Sequence, residues 1–543
     1  MTQLKLHGQH RPRRAGASLA PAFALAGAVI SLSFTLGSAF AAGTSSAPAS
    51  AAPAVSAKPA TCADLKPLEL AVRLKPGDST ALIALGQAYV CAGRYRDAQD
   101  TLENAVAMDY RSFDAHFQLA RTLYEQGDLD AALFEYTQLT ALYPDRFEPL
   151  YNTATVLGRL RRPDDAIKAY SAAIDAAKAA NAPAAAVVDA YVGLAGQQRL
   201  KKDLDGAAKS YADAQTYQPG APMLILGQAR ALLDAGKGPQ ALPLAFSLTA
   251  QDPSNALAAI LVADVFDAQN LPDRALKELD RALTASRRAV DKAALNVRRG
   301  VILEKSGRAA EAIVAYRSAA KANPNSFEAQ YDLGNATLAT KPTDALAAFR
   351  EATRLNPGDG AAQLGVAFAQ DAVGNHSASY SAALRAQPLL SVPAMRVRAQ
   401  MLAGKNAYLT GQYANAAAQL RGVMAADAQN ADAPLWLGLA QFAQKDYPGA
   451  ITSLETAVKL APNSLSARSN LGAAYYAAHR YGDAEAVLRI VVQADPKNPD
   501  AQTNLGLALA NLNRLDEARL TLKTAADLGS ALASSALKSL GSR

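Results

Sequence analysis

The chain has 543 residues, too many for one ordinary core, so it must hold several domains or a repeat. Half of the residues are hydrophobic but only 6% are aromatic, and alanine carries much of the share, which favours stacked helices over a bulky central core. The formal charge is +7, yet Lys5, Arg11, Arg13 and Arg14 lie in the first 41 residues, which hold no acid. The remainder carries +3 without a dense cationic run, which argues against a nucleic-acid surface.

The first zone of the chain is basic and ends at Arg14. An apolar stretch from Leu19 to Leu36 follows, and Ala39-Phe40-Ala41 closes it with small residues. This order predicts a secretory signal peptide over 1–41, cut after Ala41, and therefore a periplasmic or secreted chain. The apolar stretch is long for a signal, so an uncleaved N-terminal anchor is the alternative. Arg13-Arg14 lacks the apolar residues that follow a twin-arginine pair, and no cysteine near the cut indicates a lipid. Residues 42–60, rich in Ala, Ser and Pro, predict a disordered tether. No later apolar run reaches membrane-spanning length, so no membrane insertion is expected once the signal is removed.

From residue 61 the prolines fall on a lattice. Pro76 and Pro144 are 68 residues apart, Pro219 and Pro253 are 34 apart, and so are Pro462 and Pro496; Pro324 and Pro357 are 33 apart. A period in this range predicts stacked supersecondary units. In 465–498, Leu471-Gly472 is followed by Tyr475, Tyr481, Ala484, Leu488, Val491 and Pro496. The same slots in 431–464 hold Leu437-Gly438, Gln441, Tyr447, Ala450, Leu454, Ala457 and Pro462. Apolar residues recur three and four apart, so each half of a unit is an amphipathic helix. Gly93, Gly127 and Gly411 mark the turn between halves, and each proline stops the second helix.

The pattern resembles the tetratricopeptide repeat family over nearly the whole chain beyond the tether. Units begin at Ser79, Phe113, Phe147, Val188, Pro222, Ala256, Ala293, Phe327, Gly360, Val397, Ala431, Leu465 and Pro499. The resemblance implies an all-α fold, a right-handed superhelical α-solenoid of about thirteen helix-turn-helix repeats. The unit from Phe147 lacks its proline and predicts an extended second helix. The unit from Gly360 is degenerate, which predicts a joint at 370–396 between an N-terminal block, 61–369, and a C-terminal block, 397–543. Residues 63–74 read as the second helix of a truncated leading unit, and the tail around Ser534 to Lys538 as a capping helix.

Chemistry is not legible. Beyond the signal there are three histidines, His116, His376 and His479, in separate units, so converging metal ligands are not expected. No nucleophile elbow, phosphate loop or dinucleotide fingerprint occurs. Acids such as Asp128, Asp130, Asp483 and Asp516 stand in turns or at helix starts, where they cap free N–H groups. No enzyme, cofactor or metal is expected.

In the family that the chain resembles, first helices line a concave groove that holds protein segments. The groove slots here contain Phe117, Arg121, Tyr124 and Tyr151 near one end, and Met401, Tyr408, Leu435, Leu439, Phe442 and Tyr476 near the other. These two apolar-aromatic strips are either a partner-binding surface or side chains packed on one another. Asn470 and Asn504 match the family's asparagine slot for a partner's terminal carboxylate, but the accompanying lysines are missing, and Lys405 and Arg398 stand alone. Cys62 and Cys91 fall at one end of neighbouring antiparallel helices, so a disulfide is expected in an exported protein, two buried thiols being the alternative. The reading is a non-enzymatic scaffold of the cell envelope that binds a protein or peptide. A component of a polysaccharide-export or outer-envelope assembly machine is the alternative.

Overall fold

The computed structural model describes residues 64–541. The expected signal, the tether and Cys62 lie outside the described residues. The described residues form twenty-eight α-helices and no strand. They divide into two compact units that meet in sequence between Arg308 and Ala309.

The first unit opens on α1 (Leu65–Leu74), the lone second-type helix that the proline lattice implies. Helix pairs follow: α2 (Ser79–Cys91) with α3 (Tyr95–Met108), α4 (Phe113–Gln126) with α5 (Leu129–Leu142), and α6 (Phe147–Arg159) with α7 (Pro163–Ala179). Next come α8 (Ala184–Leu200) with α9 (Leu204–Tyr217), α10 (Pro222–Asp234) with α11 (Gly238–Gln251), α12 (Ala256–Ala268) with α13 (Pro272–Ala285), and the first helix α14 (Ala289–Lys305). The second unit opens on α15 (Ala309–Ala322). It continues with α16 (Phe327–Thr337) and α17 (Pro342–Leu355), α18 (Gly360–Ala372) and α19 (His376–Ala386), and α20 (Pro393–Leu409) and α21 (Tyr413–Ala426). It closes with α22 (Asp432–Ala443) and α23 (Tyr447–Leu460), α24 (Leu465–Ala477) and α25 (Tyr481–Ala494), α26 (Pro499–Asn511) and α27 (Leu515–Asp527), and the terminal helix α28 (Ala531–Gly541).

Local chemistry sets the helix ends. Asp78, Ser112, Asn255, Ser326, Asp359, Ser464 and Asn498 each precede a first helix and accept a hydrogen bond from an amide three residues on. The turn inside a pair carries one left-handed residue, except between α16 and α17. Gly127 supplies it at φ 88°, whereas His479 and Lys445 adopt φ 61° and 65° with a side chain in place.

Within each pair a small residue lets the helices close. A Cβ added to Gly438 on α22 would lie 2.6 Å from Leu454 Cγ on α23, and Leu454 is fully buried. Phe349 of α17 is gripped from two successive helix pairs, since a Cβ on Gly334 or on Gly365 would stand 2.7 or 2.5 Å from its ring. First helices of successive pairs touch one another in each unit, as α12 does α14 and α24 does α26. Successive second helices make no comparable contact, so the first-helix side is the more tightly packed one.

Two departures from the lattice have physical causes. The second helix α7 runs 17 residues because nothing stops it before Asn181 and Pro183. The first helices α8, α14 and α20 also have 17 residues each, one turn more than their neighbours, at every third pair. The degenerate stretch 370–396, where the pattern places a joint, runs from the end of α18 through α19 into α20, and its Ala382, Ala383, Ala386 and Leu390 share one buried cluster with Phe349 of α17 and Leu402 of α20. A short 3-10 turn, Gln387–Leu389, carries the proline stop, Pro388, two residues after α19 ends. Gly360 fits there because a Cβ would meet the Leu389 carbonyl carbon at 2.8 Å.

Gly438→Ala should therefore lower stability by about 1–3 kcal/mol, measured by urea unfolding. The penalty should shrink when Leu454 is also cut to Ala, since the two side chains compete for one space. Equal penalties in both backgrounds would show that the contact does not set the helix separation.

Candidate functional site

The groove slots resolve into three chemically different faces, each on first helices. The first is the strip on α4 and α6. Here the expectation of an open aromatic surface needs correction. Phe117 and Tyr151 are 7% and 4% exposed and belong to the core. Phe117 lies against Phe113 at 5.6 Å and meets the edge of Tyr136 at 5.9 Å. Tyr151 packs on Phe147 at 5.4 Å and Tyr170 at 5.7 Å. Bulky neighbours from the second helices, Tyr136 and Tyr170, reach through and cover these slots. Arg121 and Tyr124 are half-buried, and the Arg159 guanidinium sits 4.5 Å above the Tyr124 ring.

The second face, on α10, α12 and α14, is an ionic ladder. Arg230, Asp264 and Arg298 stand at intervals of 34 residues, one per first helix. Arg230 Nη1 donates to Asp264 Oδ2 at 2.8 Å, and its Nε donates to Asp234 Oδ1 at 2.9 Å. Arg298 Nε is in ionic contact with Asp264 Oδ1 at 2.5 Å without hydrogen-bond geometry, and its Nη2 donates to Asp267 Oδ2 at 3.1 Å. Arg199 joins Asp234 at one end and Lys305 joins Asp267 at the other. Burial pushes the Asp264 carboxyl up, and the Arg298 and Arg230 guanidiniums pull it back. The ladder escaped the reading of the sequence because only apolar slots were compared between units. Its signal was there, as charges of alternating sign in one slot at the repeat period.

The third face, on α20, α22 and α24, carries the other strip. Met401, Tyr408, Leu435, Leu439, Phe442 and Tyr476 are all half-buried. Tyr408, Phe442 and Tyr476 stand 34 residues apart, and each meets the first residue of its partner helix: Tyr413 at 5.7 Å, Tyr447 at 5.5 Å and Tyr481 at 5.6 Å. Each groove aromatic is thus propped from one side by its own repeat and open on another. Burial pushes the Tyr408 and Tyr476 phenols up. Trp436, which the slot pattern passed over, meets Tyr408 edge-on at 5.5 Å and joins the strip to the next pair. Arg398 stacks its guanidinium 5.4 Å from the Phe368 ring. Lys405 does not stand alone, for it donates to Asp371 Oδ2 at 3.0 Å. Asn470 turns its amide to the Ser466 carbonyl, and Asn504 is half-buried.

The histidines do not converge. His116 is buried under the α3–α4 turn, His376 meets Asn406 and Asp371, and His479 meets the Tyr481 hydroxyl. No group of three or more His, Cys, Asp or Glu among the described residues could hold a metal ion. No described helix is long and apolar enough to cross a membrane. Cys91, at the end of α2, is disulfide-bonded; Cys62, the partner that the sequence suggests, lies outside the described residues.

Asp264→Ala should cost about 3 kcal/mol, because it takes the shared carboxylate from two poorly exposed guanidiniums and leaves each with one partner, Asp234 or Asp267. Replacing Arg230, Asp264 and Arg298 together by Met or Leu should recover most of that loss in thermal unfolding. A single variant as stable as the parent chain would show the ladder to be loosely solvated.

A match to a known family agrees with this architecture. The family profile described as "Tetratricopeptide repeat" matches residues 83–146, 151–222, 226–290, 297–341 and 470–533. That of "Anaphase-promoting complex, cyclosome, subunit 3" matches 409–491. Anaphase-promoting complex subunit 3 of Schizosaccharomyces pombe is 28% identical over 103 residues, which span 19% of this chain and 16% of that protein. Among solved structures, the APC/C hetero-tetramer Cut9-Hcn1 aligns at 16% identity over 88% of this chain and 98% of that chain, with a TM-score of 0.36. A tetratricopeptide repeat protein from Parabacteroides merdae aligns at 18% identity over 48% and 98%, with a TM-score of 0.35. The family profile covers more than half of the sequence, in phase with the helix pairs, and the chain belongs to the tetratricopeptide repeat family.

Proposed function

We propose that this chain is a non-enzymatic scaffold of the cell envelope that holds a protein or peptide partner against the first-helix face of α20, α22 and α24. The observation that carries the reading is the contrast between the three faces. Core packing covers Phe117 and Tyr151 on α4 and α6, the Arg159 guanidinium lies over the half-buried Tyr124, and internal ion pairs occupy the charges on α10, α12 and α14. The strip of Tyr408, Trp436, Phe442 and Tyr476 keeps part of its aromatic surface exposed. Aromatic residues held in place and only partly desolvated are the usual anchors of a protein interface. The family is typically a non-catalytic scaffold, and the profile match of 409–491 to a subunit of a multiprotein complex takes in α22 and α24. Export rests on the three-zone N-terminus, with the disulfide at Cys91 in support.

Phe442→Ala should do two things, since one side of the ring is packed and the other open. It should weaken capture of a crosslinked envelope partner about thirtyfold, the usual scale of an anchor residue, and lower stability by about 1–2 kcal/mol through the lost Tyr447 contact. Lys459→Ala, on a second helix, should leave capture unchanged. Capture spared by Phe442→Ala and Tyr476→Ala alike would remove the face from the interface. Mass spectrometry of the exported chain should find Ala42 first and a Cys62–Cys91 linked peptide; Met1 on that chain, or two freely alkylated thiols, would contradict export with cleavage or the pairing.

A further inference from the structure

His116 occupies a slot whose use recurs along the array. It is the fourth residue of its first helix, as are Gln330 on α16, Arg396 on α20 and Gln502 on α26. Each side chain reaches back to the backbone carbonyl six residues earlier: His116 Nε2 to Tyr110 O at 2.9 Å, Gln330 to Pro324 O at 3.3 Å, Arg396 to Leu390 O at 2.8 Å, and Gln502 to Pro496 O at 3.0 Å. The bond ties the turn that enters a repeat onto its first helix. Glutamine and arginine always have a donor to give. Histidine has one only in the right protonation state.

The surroundings of His116 decide that state. A backbone carbonyl can only accept, so Nε2 must carry hydrogen. The other ring nitrogen, Nδ1, lies 2.5 Å from Glu135 Oε2 on α5. A carboxylate there also accepts, so a second proton must sit in the contact. The imidazole is 2% exposed, and no water layer can stand in for a missing hydrogen. Glu135 on α5, and Asp109 and Tyr110 in the turn, are the ionisable groups that face the ring; the two acids both favour its charge, and the Tyr110 ring meets it edge-on at 5.5 Å.

We infer that His116 is a proton-dependent latch, which ties the α3–α4 turn to α4 and α5 while both ring nitrogens carry hydrogen and frees the turn when one proton leaves. Removing the proton leaves two choices. Hydrogen retained on Nε2 sets a lone pair against the Glu135 carboxylate. Hydrogen moved to Nδ1 leaves the Tyr110 carbonyl without a donor. Either way one buried bond is lost, while the Tyr143 hydroxyl still holds the Arg111 carbonyl. The turn therefore loosens around Tyr110 without detaching.

The hydrogen bond from Glu135 holds the His116 pKa above its ordinary 6.5, against the opposing effect of burial. Raised in the folded state, it adds stability that is complete below 6.5 and is lost as pH climbs through the folded value. Nitrogen-15 spectra of the full chain should show two protonated ring nitrogens on His116 below pH 6.5, and a titration midpoint above it. Exchange protection of residues 109–116, corrected for intrinsic rates, should fall about tenfold across that midpoint. His116→Gln should keep the turn protected at every pH, as glutamine does in two other repeats. Glu135→Gln should move the midpoint down. One protonated nitrogen below pH 6.5, or a parent chain whose protection is as independent of pH as that of His116→Gln, would overturn the latch.

Discussion

The close approach of two helices within each pair is the constraint on which the other features rest. In several pairs a glycine on the first helix faces a large side chain on the second, as Gly438 faces Leu454 and Gly472 faces Leu488, and an added methyl there would collide with it, while Ala120 and Ala263 fill the same slot in other pairs. That short distance brings the C-terminal end of a first helix beside the start of its partner. Only then can Tyr408 reach Tyr413, and Phe442 reach Tyr447. It also places second-helix residues such as Tyr136 and Tyr170 beneath the first-helix slots that they fill. One steric rule, repeated at the period of the chain, both builds the scaffold and decides which slots stay open.

Much of the fold was legible because its signals are local. A proline ends a helix wherever it falls, an acid or serine before an apolar run caps one, and their spacing needs no knowledge of the rest of the chain. The extended α7 could be read from one missing proline. The site was less legible, since exposure is a property of neighbours. Phe117 and Leu435 occupy the same slot, yet Phe117 is enclosed by Phe113 and Tyr136 while Leu435 keeps part of its surface. No pattern within one repeat distinguishes them. The ladder was missed for a different reason, because its signal lies between repeats and consists of charge, and the comparison followed apolar residues.

The degenerate pair shows how a lost consensus residue is compensated. Where the lattice calls for apolar or small residues, Ser379, Asn406 and His376 form a hydrogen-bonded cluster. Asn406 donates to Ser379, and Ser379 donates to the Ala367 carbonyl. Both are fully buried, and each finds a partner, as groups cut off from water must. Polar satisfaction thus substitutes for apolar packing, and the pair keeps its place in the stack.

The ladder also bears on how the array comes apart. Stacked repeats ordinarily melt from an end, each pair leaving at the cost of one interface. Asp264 is shared by arginines from the pairs on either side, so losing either neighbour leaves its charge half-compensated in a dry setting. Fraying that reaches this region from either direction meets a step that cannot be taken one repeat at a time. The three first helices α10, α12 and α14 therefore form a cooperative block, a stop against which partial unfolding of the flanking repeats is contained.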